Sequence, residues 1–226
     1  MTDPIGYPEA EGILRGMDNV ISQMPEAQRQ AHERVIGERK VASKDKILSL
    51  YENDIHVIVR GKAGAAVEFG NTLFLGETSD GLILDYELLK DRSPGDPKLL
   101  EQHYPVMKEK SGGNLCGVVG DRGCENKAIR RMLEEDEMFN GLCPRNPQEL
   151  AHRMENDEVL AAALSRRAQT EGRVAILKNI FLEGTPRAKG FKNRQLQVAW
   201  AVLAHNLWVV ARLPWIKEKK VLTEAA

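Results

Sequence analysis

Apolar residues along this 226-residue chain follow two rhythms, and the changes between them predict its elements. From residue 8 to 40 they recur every three or four positions, at Ile13, Leu14, Met17, Val20, Ile21 and Met24. That is the period of an amphipathic helix. Pro25 should interrupt it by removing a backbone donor, with residues 27–38 resuming it. Strand-like runs follow at 55–59, 67–75 and 82–88. The last two are joined by Thr78-Ser79-Asp80-Gly81, whose Asp-Gly pair is a hairpin turn signal. Residues 91–97 read as a loop, with Asp96 expected to cap a helix over 98–109. A short buried strand at 115–119, a helix at 125–133 and a second short strand at 138–143 come next. Residues 148–181 should be mostly helical, with a break near Asn156. A basic loop at 184–192 leads to a last helix over 196–212, which Pro214 should end. No repeat or low-complexity segment is present.

The length bounds the chain to one domain or two small ones, enough to bury a core. Lys and Arg number 32 against 33 Asp and Glu, a net charge of −1, so overall charge does not point to nucleic acid. Distribution changes the picture. Between 166 and 212, Arg166, Arg167, Arg173, Lys178, Arg187, Lys189, Lys192, Arg194 and Arg212 are opposed only by Glu171 and Glu183. Such a stretch suits a phosphate-facing surface, and equally an ordinary solvated face. Three cysteines without a Cys-x-x-Cys pair indicate a reducing compartment and hence the cytoplasm; Cys116 and Cys143 lie in apolar runs and read as core. No leader pattern is expected at the N-terminus. The longest apolar run, 198–211, is too short to span a bilayer and reads as a buried helix.

Two stretches carry candidate chemistry. In 164–178 an arginine, a glutamate and a lysine (Arg167, Glu171, Lys178) stand at offsets of four and then seven, which places them on one helix face. In 115–123 an apolar run ends in Asp121-Arg122-Gly123. A strand-end carboxylate and a helix carboxylate flanked by cations suit a metal-dependent phosphodiester enzyme. Arg167 would grip a phosphate bidentately, Lys178 would act as a point charge, and Arg173 is a further phosphate candidate. Plainer readings exist: Asp121 as a turn former, and Glu171 as half of a surface ion pair of about 0.3–0.5 kcal/mol. His205 and Asn206, in an apolar run, read as a hydrogen-bonded core pair, and Trp200 and Trp208 as core. Gly61-Lys62-Ala63-Gly64 lacks the spacing of a phosphate loop.

These motifs together resemble an insertion-sequence transposase of the DDE superfamily. One branch of that superfamily carries its last acid in a Tyr-x2-Arg-x3-Glu-x6-Lys signature. Arg167, Glu171 and Lys178 match it, with Leu164 at the tyrosine position. Asp121-Arg122-Gly123 matches the segment of the second catalytic Asp. Gly61-Lys62, Glu68-Phe69-Gly70 and 203–207 add to a likeness running from about residue 5 to 215. It implies a ribonuclease-H-like α/β domain with a mixed sheet over 41–215, a helical segment at 1–40 and a tail at 216–226. It also implies metal-dependent cleavage and strand transfer on double-stranded DNA, two Mg2+ ions held in part by Asp121 and Glu171, and self-association on DNA in a prokaryotic cytoplasm.

The chain also departs from the family. The first catalytic aspartate belongs on a strand shortly before a Tyr-Pro-Thr-Asp segment, where this chain has Tyr7-Pro8-Glu9-Ala10. Asp3 is too close to Tyr7 to be that residue. The first strand and its acid are therefore expected to be missing, leaving a truncated, inactive copy. The alternative is a non-catalytic DNA-binding or regulatory fragment. A third reading is a nuclease whose first acid comes from Asp54, Asp85 or Asp96.

Overall fold

The computed structural model describes residues 7–42, 45–62, 65–183 and 188–224. It divides into two compact units. One comprises Met1–Thr72, Lys90–Arg92 and Lys189–Phe191, and the other Leu73–Leu89, Ser93–Ala188 and Lys192–Ala226. The chain passes between them after Thr72 and again on either side of Lys90–Arg92 and Lys189–Phe191.

In the first unit, α1 (Tyr7–Val35) is one 29-residue helix with Pro25 inside it. A proline costs a helix one hydrogen bond and a local bend without forcing an end. The polar side of α1 is laced to the segment that follows. Gln30 is buried; its amide donates to the Asp45 carbonyl at 2.5 Å and accepts from the Ile47 N–H at 3.2 Å. The apolar stripe of Leu14, Met17, Ile21 and Met24 is exposed. Strands β1 (His56–Lys62) and β2 (Ala65–Gly70) pair antiparallel, from His56 opposite Gly70 to Lys62 opposite Ala65.

The second unit opens with the expected hairpin, β3 (Leu73–Glu77) antiparallel to β4 (Ile83–Leu88). Gly81 turns it at φ +92°, a conformation open to glycine at little cost. Next come α2 (Asp96–Lys110), β5 (Gly117–Gly120), α3 (Lys127–Glu135) and β6 (Phe139–Leu142). β5 and β6 are parallel, from Gly117 opposite Phe139 to Gly120 opposite Leu142, and α3 is their crossover. Leu100, Tyr104 and Met107 of α2, Val118 of β5, Ile129 and Leu133 of α3 and Leu142 of β6 form one buried cluster. The fold is mixed α/β. The single mixed sheet expected from the sequence is replaced, among the described residues, by three separate two-stranded ladders.

Helices complete the unit: α4 (Pro147–Asn156), α5 (Glu158–Ser165), α6 (Arg167–Ile176) continuing into a π-helical turn (Leu177–Phe181), and α7 (Phe191–Glu224). Asn146 caps α4, and Asp157 caps α5 through the Leu160 N–H at 2.9 Å, which explains the break near Asn156. α7 runs through Pro214 and takes in most of the expected tail. It is also not buried all round. Val198, Ala201, Val202, His205 and Val209 face inward while Trp200 and Leu207 are exposed. By length and composition, its segment Phe191–Leu213 is apolar enough to cross a membrane, longer than the run read from the sequence.

Asn206 fastens α7 to the hairpin. Its Oδ1 accepts the Ile83 N–H at 2.8 Å and its Nδ2 donates to the Ile83 carbonyl at 2.9 Å. Asn206→Ala should strand both backbone groups and destabilise the unit by about 1–3 kcal/mol. Urea unfolding checks this; a midpoint unchanged from the parent would show that the two bonds contribute nothing.

Candidate carboxylate site

Asp121 leaves the C-terminal end of β5, where the ladder stops and the chain turns. Its Oδ1 accepts the Gly123 N–H at 2.8 Å and lies 3.6 Å from the Cys124 thiol. Both the turn-forming and the strand-end readings of this residue therefore describe its geometry. A second carboxylate comes from α2. Asp96 does not cap that helix: the cap position is Gly95, at φ +101°, and no side-chain hydrogen bond is made there. Asp96 stands in the first turn, where a negative charge is favoured by the helix dipole. A Cβ placed on Gly123 would lie 2.9 Å from Asp121 Oδ1 and 3.0 Å from Asp96 Oδ2. Only the missing side chain lets both acids close on this backbone. Burial pushes the Cys124 thiol up to about 12, and the charges of Asp121 and Asp96 add to the effect. Cys124 is thus a neutral thiol at physiological pH.

Glu171 and Lys178 are exposed. The opposite side of their helix, with Thr170, Arg173, Val174 and Leu177, lines a cavity of about 30 Å3 together with Leu75, Glu77, Ile83 and His205. Arg167 opens α6, but its side chain lies outside the described residues. Arg173 has a different part to play from the phosphate contact considered above. It pairs with Glu77 at 3.3 Å, donates to the Ser79 carbonyl at 3.4 Å and packs over Gly81. It braces the hairpin turn.

A denser polar cluster lies between the hairpin and α2. Asp85, buried in β4, accepts from Lys110 Nζ at 2.7 Å and lies 2.6 Å from His103 Nδ1. His103 Nε2 is 3.0 Å from Glu87, and Phe74 stacks on the imidazole at 4.0 Å. Burial alone would raise the Asp85 carboxyl. Hydrogen bonds and charge from Lys110 and His103 overcome this and hold it below the usual carboxylate range. Asp85 is therefore committed to this cluster, and Asp54 lies 3.8 Å from Lys90.

Several further expectations are revised by burial. Cys116 is exposed, and Cys143 is buried as expected. Arg194 is buried rather than part of a basic surface, and Arg187 lies outside the described residues. Trp200 is exposed rather than core, and Trp208 carries the Arg212 guanidinium 4.6 Å above its ring. His205 is buried beside Asn206, 3.4 Å between Nδ1 and Oδ1. Sequence reasoning passed over Glu125, a buried acid paired with Arg130 that also accepts the Arg145 N–H at 3.0 Å. Its place beside the Asp-Arg-Gly turn was the available signal. The Gly61-Lys62 match has no described side chain at Lys62.

Among the described residues, no three His, Cys, Asp or Glu side chains converge as a metal-ligand set. Comparison with family models finds no match, and neither do comparisons with curated proteins or with solved structures.

Two outcomes follow from these contacts. Asp85 has a depressed folded pKa, so its stabilisation is full above the unfolded value of about 3.9 and is lost as pH falls through the folded one. Asp85→Asn should be less stable at neutral pH and should lose part of the acid sensitivity that the parent shows below the unfolded value of about 3.9, measured as melting temperature against pH. Arg173→Ala should lower the melting temperature, by roughly 1 kcal/mol of stability for a half-buried pair, without weakening DNA binding. A variant of parental stability with reduced DNA affinity would return Arg173 to the phosphate role.

Proposed function

We propose that this chain is catalytic-domain sequence of a DDE-superfamily insertion-sequence transposase, that it binds double-stranded DNA, and that by itself it does not cut it. The observation that carries the reading is the placement of the motif residues. Asp121 stands at the end of one strand of a parallel pair, while Glu171 and Lys178 share the exposed side of a helix whose other side faces the hairpin. The succession of antiparallel hairpin, helix, strand, helix and parallel strand supports a ribonuclease-H-like domain. Its cellular place on this reading is a prokaryotic cytoplasm, on DNA.

The family's chemistry uses two Mg2+ ions to activate the attacking oxygen and stabilise the leaving one. The donor set here does not fit such a pair. Asp121 meets Asp96 at Gly123, Asp85 is held by Lys110 and His103, and no set of three metal donors converges among the described residues. No cleavage step is assigned to this chain for that reason. What its residues supply is charge: Lys178 and Lys192, both exposed, are suited to neutralising backbone phosphates without reading bases.

Fluorescence anisotropy on a mixed-sequence duplex at several salt concentrations tests this directly. Binding should be weak, insensitive to sequence and steeply salt-dependent. Lys178→Ala should flatten the slope of log K against log salt by about 0.9, the value for one lost phosphate contact. Absence of binding at low salt sinks the DNA reading. In a nicking assay with Mg2+ or Mn2+ the purified chain should leave the duplex intact. Metal-dependent cleavage abolished by Asp121→Ala would overturn the non-catalytic part.

A further inference from the structure

One face of the β3–β4 hairpin carries charge underneath a helix. Phe74 stands opposite Glu87 and Gly76 opposite Asp85, so these four positions share a side of the ladder. α2 turns His103, Met107 and Lys110 toward it, residues at offsets of four and seven that lie on one helix face. Met107 fits because Gly76 has no side chain; a Cβ there would meet its Sδ. Asp85 and Glu87 are two acids two residues apart, and the group between them is the His103 imidazole. Nδ1 lies 2.6 Å from Asp85 Oδ2 and Nε2 3.0 Å from Glu87 Oε2. Phe74 fixes the ring plane, stacked at 4.0 Å and 13°. Lys110 Nζ donates to the other Asp85 oxygen at 2.7 Å.

A neutral imidazole has one N–H and one lone pair, and an ionised carboxylate only accepts. The Asp85 carboxyl is held below its usual range, so Nδ1 is the donor to it. In a neutral ring Nε2 would then turn a lone pair toward a Glu87 oxygen, and two acceptors repel. Only a ring with both nitrogens protonated makes both contacts. Turning the ring over puts carbon at both positions and loses both. Charge agrees with this: two acids are balanced by Lys110 and a doubly protonated ring, and are left one cation short by a neutral one.

We infer that His103 is a proton-operated latch between β4 and α2, holding Asp85 in either state and Glu87 only while Nε2 carries a proton. Loss of that proton to solvent leaves the Nδ1–H bond to Asp85 in place, since both partners are buried. Glu87 is the arm that leaves. Its side chain is 49% exposed against 5% for Asp85, so water takes over as its partner at little cost. The charged groups facing the ring are Asp85 and Glu87 from β4 and Lys110 from α2, while β3 contributes the uncharged Phe74. The latch is therefore closed on the acid side and opens as pH rises. Opening frees the Leu73–Leu88 end of the hairpin from α2, and Asp85 keeps the middle attached. This inference does not depend on the DNA reading.

Nitrogen-15 NMR of the full chain, from pH about 5 to about 9 to span the ordinary imidazole range, reads the two ring nitrogens separately. Both should be protonated at the acid end. As pH rises Nε2 alone should lose its proton, and the Glu87 side-chain signals should move with the same midpoint. Urea unfolding at each pH gives the matching change in stability. At the acid end the parent's folding constant should exceed that of Glu87→Ala by about 5-fold, a hydrogen bond to a charged group discounted for a half-exposed partner. At the alkaline end the two should agree. Glu87→Gln should stay latched at both ends, because its amide donates to a bare Nε2 and its carbonyl accepts from a protonated one. A singly protonated ring with Glu87 still attached overturns the proposal. So does a Glu87→Ala deficit that does not change with pH, or a Glu87→Gln chain with the parent's full pH dependence.

Discussion

Two parallel strands of four residues, β5 and β6, cannot hold together by their ladder alone. Parallel pairing needs a crossover and cover on its faces, so the second unit depends on how α2 and α3 close over this pair. Ile129, Leu133 and Leu142 are fully buried, and Tyr104 nearly so. Full burial of each such side chain stabilises by about 1.5–3 kcal/mol. Asn126 starts α3 by accepting the Ile129 N–H at 2.8 Å, so the cap sets the helix that delivers Ile129 and Leu133, both fully buried. Asp121 is positioned by this arrangement. It occupies the first residue after the ladder ends, and its direction follows from Gly117–Gly120 lying in register with Phe139–Leu142.

Polar side chains act as joints between elements of the second unit, beside its apolar core. Asp85 draws together β4 and α2 through Lys110 and His103. Glu125 joins the start of α3 to the loop after β6 through the Arg145 N–H. Asn206 takes up both backbone groups of Ile83, which stands opposite Glu77 at the end of the β3–β4 ladder. Each joint is expensive to break, because removal of one partner leaves the other buried and unsatisfied. The two-stranded ladders lack neighbours on their open edges among the described residues. These side-chain joints take over part of the work that a wider sheet would do with backbone hydrogen bonds.

The parts legible in the sequence are those fixed by local chemistry. Asp80-Gly81 announced the hairpin because a positive φ at Gly81 is needed for the turn. Asp157 marked the break between α4 and α5 because an aspartate cap is a local hydrogen bond. Errors arose where a local rule met tertiary context. Pro25 reads as an interruption and Pro214 as an end, yet both helices continue through them. Asp96 was assigned to capping, a role that Gly95 takes one residue earlier. Arg194 and Trp200 exchanged places with expectation, one buried and the other exposed. α7 is apolar on both sides, so its sequence does not say which side meets the core. Of the candidate site, the element bearing each acid was legible. The approach of Asp96 to Asp121 was not, because it depends on the absence of a side chain at Gly123.

That approach separates the two parts of the proposed activity. Asp96 and Asp121 close on one glycine beside a thiol whose pKa burial pushes up to about 12, and Arg122 is exposed in the same turn. A phosphate approaching that turn meets the Arg122 charge as well as the two acids. On the proposed reading, attraction to DNA would also draw on other parts of the surface, where Lys178 and Lys192 are exposed while Arg194 is not. On a protein of net charge −1 long-range steering is weak, and a few local contacts decide affinity. Salt then becomes the stronger control: at physiological ionic strength the Debye length is about 8 Å, comparable to the reach of a single lysine. On the proposed reading, DNA held in this way would be positioned by its backbone alone, and the carboxylates would act on it only where a further acid and a divalent cation completed the set that the described residues leave short.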